Sequence, residues 1–151
     1  MSAYRTVVVG TDGSPSSFRA VARAAAVAGA CGARLVVACA YEPAEEARDV
    51  QRAQEMLGAD AAGLDVASHA EDVLRSARQK AHEAGAVDVH PVAVVGPPVE
   101  ALMDLARREQ ADLIVVGNRG LNTLKGRLLG SVPSDVTRRS EIDVLVVHTT
   151  G

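Results

Sequence analysis

The sequence predicts an α/β fold: an open, five-stranded, parallel sheet of Rossmann-like type with helices on both faces. Three observations predict it. Short aliphatic runs alternate with helical stretches along the chain, the pattern of strands joined by helical crossovers. The runs are near-continuous and do not alternate with polar residues, as strands buried on both faces require. At 151 residues the chain fits one domain, 1–151, long enough to bury a core.

The elements follow in order. Thr6–Val9 is a β-branched run ending at Gly10. Ser14-Pro15 then starts a helix, with Ser14 as cap and Pro15 in the first position, where a missing N–H is harmless. Phe18, Val21, Ala22, Ala25 and Ala28 recur at helical spacing and Gly32 stops the helix. Leu35–Ala40 is the second strand. Glu42–Asp65 is charged and alanine-rich, with a short helix expected over Glu45–Leu57. Ser68-His69-Ala70-Glu71 has the form of a capping box opening a helix that Gly85 ends. Val87–Val95 is the third strand, and Pro91 inside it marks an edge or a bulge. Gly96-Pro97-Pro98 turns into a helix over Val99–Gln110. Leu113–Val116 is the fourth strand, Ser134–Arg139 the last helix and Ile142–His148 the fifth strand.

Composition excludes several function classes. The net charge is −3 and aromatics make up 2%, so neither a basic face nor a base-stacking platform for nucleic acid is expected. Arg107-Arg108 and Arg138-Arg139 are short basic pairs late in helices, suited to solvated, dipole-matched ends. No apolar stretch approaches the roughly 20 residues that span a bilayer. Met1–Thr6 runs straight into a strand without a leader pattern, and Cys31 and Cys39 have neither metal nor redox spacing. These features lead to the expectation of a soluble cytoplasmic protein whose two cysteines are small buried apolar residues. His69, His82, His90 and His148 are scattered without ligand spacing and are read as structural.

The chemistry concentrates after the fourth strand. Gly117-Asn118-Arg119-Gly120 is followed, nine residues on, by Gly130-Ser131 and a helix. Glycines let backbone N–H groups approach an anion, and a helix N-terminus favours negative charge. This is a phosphate-binding arrangement. An open parallel sheet binds ligands beyond the carboxyl ends of its strands, and Gly10-Thr11-Asp12-Gly13-Ser14 converges on the same edge. Neither the NTPase P-loop string nor the dinucleotide fingerprint is present: only Gly10-x-x-Gly13 follows the first strand. Arg119 and Arg127 lie in the glycine loop, where a guanidinium pairs well with phosphate oxygens, Arg119 the better placed; Lys125 is expected to be exposed.

With these residues in place, the chain resembles the universal stress proteins. The likeness runs nearly end to end through Val7–Ser14, Ala111–Gly117 and Val144–Val147, and is thinnest over Glu42–Ala67. Gly117, Gly120, Gly130 and Ser131 match the Gly-2x-Gly-9x-Gly-Ser/Thr spacing of the family's ATP-binding members. Met1-Ser2-Ala3-Tyr4 and Gly126–Pro133 are similar to an actinobacterial branch that includes cyclic-AMP binders.

The resemblance implies an adenine nucleotide as ligand, ATP or cyclic AMP. It implies that backbone groups of Val116, Gly117, Asn118, Arg119, Gly120, Gly130, Ser131 and Val132 hold the phosphates, with the Ser131 hydroxyl as a further donor. Asp12 is placed beside the ribose or, if the ligand is ATP, a phosphate-bound Mg²⁺ or Mn²⁺. Gly10 and Thr11 line the pocket, and Ala40 offers backbone groups to the adenine edge. Pro133 removes one N–H from the anion nest, which suits a compact, singly charged phosphate at least as well as a triphosphate. A homodimer through Ile142–His148 is also implied, consistent with an aliphatic edge strand that needs cover. From the residues, Asp12 could instead merely cap the first helix, and Ser131 could cap the last, a role that can coexist with ligand binding. No Ser-His-Asp set or carboxylate pair is visible, so a binding protein is expected, not an efficient enzyme. A nucleotide-independent dimeric interaction module and a slow ATPase are the alternatives.

Overall fold

Val7, Val8 and Val9 are each fully buried, yet they serve two different cores. Val7 and Val9 join one cluster with Leu35, Val37, Leu113 and Val115, and Val8 joins the other with Val36, Ile114 and Val116. Successive side chains on a strand point to opposite faces, so a sheet between two apolar layers needs aliphatic residues at every position. In the computed structural model, which describes residues 2–42, 66–119 and 130–149, five strands meet this need. They are β1 (Thr6–Gly10), β2 (Arg34–Tyr41), β3 (Asp88–Val95), β4 (Leu113–Gly117) and β5 (Asp143–Val147). All neighbouring pairs are parallel, in the order β3-β2-β1-β4-β5.

Helices α1 (Pro15–Cys31) and α2 (Val66–Glu83) cover one face, and α3 (Pro98–Arg108) and α4 (Ser131–Arg139) cover the other. The α1 layer is built from Ala20, Ala24, Ala25 and Ala28. Small side chains bring that helix close to the sheet, and a domain almost without aromatics packs densely in this way. Fully burying each valine or leucine contributes about 1.5–3 kcal/mol.

Several boundaries differ from the sequence expectation. The α2 helix begins at Val66, so Ser68 lies inside it, exposed, and caps nothing. The α4 helix begins at Ser131, three residues before the expected start, because Pro133 is tolerated in a first turn where its absent N–H needs no partner. The α3 helix ends at Arg108, with Gln110 at φ 54° completing its C-terminal turn where no glycine is available. The β3 strand starts at Asp88 because Val87 is 85% exposed, and Pro91 pairs in unbroken register with Val37, which makes it an edge proline and not a bulge. Edge position also explains why β3 mixes buried Val89 and Val94 with exposed Asp88, Pro91 and Val95, unlike the central strands. Cys39 is buried as expected, whereas Cys31, in the last turn of α1, is only half-buried. The helix expected over Glu45–Leu57 lies outside the described residues.

Strand order positions the site. The chain runs β1, β2, β3 outward in one direction, then returns to place β4 on the other side of β1. The connections therefore leave in opposite directions between β1 and β4, opening a crevice at their carboxyl ends.

Candidate functional site

The β1–α1 turn is built around two buried hydroxyls. Thr11, 1% exposed, continues the ladder by donating its N–H to Ala38 O at 2.8 Å. Its Oγ1 lies 2.8 Å from Ser17 Oγ and accepts from Gly13 N at 3.1 Å. Gly13 takes φ 86°, and a Cβ there would sit 2.9 Å from Val73 Cγ2, so only glycine closes the turn without strain. Ser14 Oγ accepts from Ser17 N at 3.1 Å and is the helix cap. Asp12 is therefore not the cap. It is exposed, and its Oδ1 accepts from Ser14 N at 2.9 Å. The Thr11 side chain points inward and shapes the turn.

Gly10 and Gly117 end their strands against side chains on opposite faces. A Cβ on Gly10 would meet Leu102 Cδ1 at 3.1 Å, and one on Gly117 would meet Thr149 Cγ2 at 3.1 Å. A side chain at Gly117 would therefore press on Thr149, which would have to give by a few tenths of an ångström, a constraint internal to the protein and separate from ligand crowding.

After Gly117 the chain leaves the sheet at Asn118, whose N–H donates to Val147 O at 2.8 Å. Asn118 O accepts from Gly130 N at 2.9 Å, so one backbone bond closes the long glycine loop at its base. Gly120 and residues 121–129, including Lys125 and Arg127, lie outside the described residues. Arg119 is half-buried and finds no partner among the described residues.

Gly130, not Ser131, occupies the cap position of α4, and no side chain caps the helix. The first intrahelical bond runs from Ser134 N to Gly130 O at 3.1 Å. The N–H groups of Ser131 and Val132 precede it and so have no helical acceptor, while Pro133 has no N–H at all. Two backbone donors, plus the exposed Ser131 hydroxyl, are left at a positive helix end. On the far side of the crevice, Ala38 O faces β1, and Ala40, two residues on, directs its N–H and C=O the same way, past the last paired residue of β1. The edge therefore carries amide donors on one side and a donor–acceptor backbone pair on the other.

Three residues here carry no sequence motif: Ser16, Arg19 and Thr149. Thr149 is 3% exposed just beyond β5. Its N–H and hydroxyl both donate to Asn118 Oδ1, at 2.8 and 3.0 Å, its Oγ1 lies 2.6 Å from Ser16 Oγ, and Arg19 Nη1 donates to its carbonyl. A polar residue one position past the predicted strand end at His148 was the available signal.

A cavity of about 140 Å³ lies at the other end of the sheet, between the C-terminal ends of α3 and α4, lined by Met103, Ala106, Ile114 and Ile142 among others. None of the candidate residues touches it. The cavity's lining also includes Arg107, Arg139 and Glu141.

An open parallel sheet with a glycine-bounded crevice and an uncapped helix N-terminus defines a class of small-anion-binding α/β proteins. A family model described as the universal stress protein family matches residues 3–148, and the chain belongs to that family. Among its relatives, a universal stress protein of Mycobacterium tuberculosis is 53% identical over 150 residues, covering 99% of this chain and 100% of the relative. One of Thermus aquaticus is 34% identical, covering 96% and 99%. The solved structure of a universal stress protein in complex with cAMP superposes with TM-score 0.75 at 49% identity, covering 99% of this chain and 100% of that one. Among the described residues, no helix is long and apolar enough to cross a membrane.

Proposed function

We propose that this chain is an adenine-nucleotide-binding protein that takes ATP or cyclic AMP at the carboxyl edge of the sheet. The observation that carries the reading is the start of α4. Two backbone N–H groups with no acceptor among the described residues and the Ser131 hydroxyl stand beside the crevice, in a chain 49% identical to a relative solved with cAMP. The phosphate accepts from the Ser131 and Val132 amides and the Ser131 hydroxyl, with Val116, Gly117, Asn118, Arg119, Gly120 and Gly130 lining the space around it. The Asn118 and Gly130 N–H groups are not donors to it, since they are given to Val147 O and Asn118 O. Arg119 supplies a counter-charge. The backbone of Ala40 reads the purine edge, and Gly10 and Thr11 lie beneath the pocket, the buried Thr11 shaping it through the β1–α1 turn and not by contact.

With Pro133 in the third helical position the nest has two helix-end donors, enough for a cyclic phosphate that carries one charge. If ATP is the ligand, Mg²⁺ or Mn²⁺ arrives on its phosphates. Asp12 fits one position in such a metal's shell: its carboxylate is exposed and only Oδ1 is engaged. Among the described residues no group of three or more His, Cys, Asp or Glu is placed to hold a metal, so a metal held without the nucleotide is not part of the proposal.

Titration calorimetry with cyclic AMP and with Mg-ATP, on wild type and Ser131→Asp, tests the reading. Asp in the first turn favours the helix by about 0.3–1 kcal/mol through the dipole, yet opposes an anion at the same point. The expected result is a folded variant that binds at least about tenfold more weakly, a difference of about 1.4 kcal/mol. Equal affinity in variant and wild type contradicts the site. No heat with either ligand favours an interaction module.

A further inference from the structure

The geometry points to Thr149 as the positioning residue that locks the two halves of the crevice together through its hydroxyl. The role in binding rests on the nucleotide reading above; the lock itself does not. The direction of the hydrogen-bond chain can be worked out from chemistry. Thr149 N–H can only donate, so the Asn118 atom it meets at 2.8 Å is the carboxamide oxygen. The Thr149 hydroxyl, 3.0 Å from the same oxygen, must also donate to it. Its lone pairs are then what Ser16 Oγ meets at 2.6 Å, so Ser16 is the donor there. A single ordered chain runs from the first turn of α1, through Thr149, to the residue that follows β4.

The two ends of that chain matter. Ser16 sits beside Ser17, whose hydroxyl meets Thr11 Oγ1 at 2.8 Å and holds the β1–α1 turn. Asn118 fixes the base of the glycine loop by accepting from Gly130 N at 2.9 Å. Arg19 anchors Thr149 from the other side through its carbonyl. The Thr149 methyl meanwhile lies 3.1 Å from where a Gly117 Cβ would be. Hydroxyl and methyl therefore do separable jobs: the methyl fills space beneath Gly117, and the hydroxyl sets the spacing of the turn carrying Asp12 against the loop carrying Gly117–Arg119.

Thr149→Val keeps the methyl and the shape but removes the hydroxyl; Thr149→Ser keeps the hydroxyl and removes the methyl. Amide hydrogen exchange and calorimetric affinity for cyclic AMP and Mg-ATP are compared in both variants and wild type. In Thr149→Val the Asn118, Gly130 and Ser17 amides are expected to exchange about fivefold faster or more, and nucleotide affinity to fall about tenfold, the scale of one buried hydrogen bond. Thr149→Ser should stay within about twofold of wild type on both readouts. Wild-type exchange in Thr149→Val, or a Thr149→Ser that behaves like Thr149→Val, overturns the inference. If wild type binds neither ligand, the nucleotide reading falls while the exchange comparison still decides the lock. If wild type binds and Thr149→Val binds equally well, the inference falls and the reading stands.

Discussion

Gly13 shows how much one residue can impose on this fold. It is the turn of the chain between β1 and α1, with φ 86° and a Cβ position 2.9 Å from Val73 Cγ2. Gly13→Ala is expected to destabilise the protein by about 1–2 kcal/mol for the left-handed backbone alone, with repacking of Val73 added. Urea denaturation checks this, and an unchanged midpoint contradicts it. Other residues at this scale were legible in the sequence because their local chemistry is self-contained. Ser14 caps α1, Pro15 opens it and Gly32 closes it at φ 64°, as their types imply. Thr149 was not legible, since its partners Asn118 and Ser16 lie 31 and 133 residues away. That a side chain at Gly117 would press on Thr149 was not legible either, for the same reason.

Elements were read correctly where both core faces constrain them, and less well at their ends. The five strands lie where the aliphatic runs put them, to within a residue or two. The misread boundaries share one cause. A local motif has several permitted settings, and tertiary context chooses among them. Ser68-x-x-Glu71 is compatible with a cap, but the helical backbone of α2 runs through it. Pro133 stops a helix in its interior and starts one in its first turn, and here it sits in the first turn of α4. At the edge of the sheet, β5 leaves Val144, Leu145 and Val146 half-buried, and among the described residues no strand pairs with its outer backbone groups. Such an edge invites pairing. We propose that two copies associate through Ile142–His148, and light scattering at micromolar concentration should give twice the chain mass. Glu replacing Val146 should shift the protein toward monomer. A wild type of single-chain mass contradicts the proposal.

At the scale of the whole molecule, the order β3-β2-β1-β4-β5 brings separate local features to one edge of the sheet. The β1–α1 turn, the end of β2 at Ala40, the base of the glycine loop at Asn118 and the uncapped start of α4 meet only because β4 returns to the far side of β1. The alternation of elements implied a parallel sheet, so the fold was legible in outline at this level; the carboxyl-edge site that it suggests is the proposal to be tested. The contacts that fix the crevice were not legible, because they join segments distant in sequence. The most direct test of the site is amide chemical-shift mapping on adding cyclic AMP or Mg-ATP. The account predicts that the largest shifts cluster at Thr11–Gly13, Ala40, Gly117–Arg119 and Ser131–Val132. Shifts centred instead on Met103, Ala106 and Ile142, at the opposite end of the sheet, would contradict it.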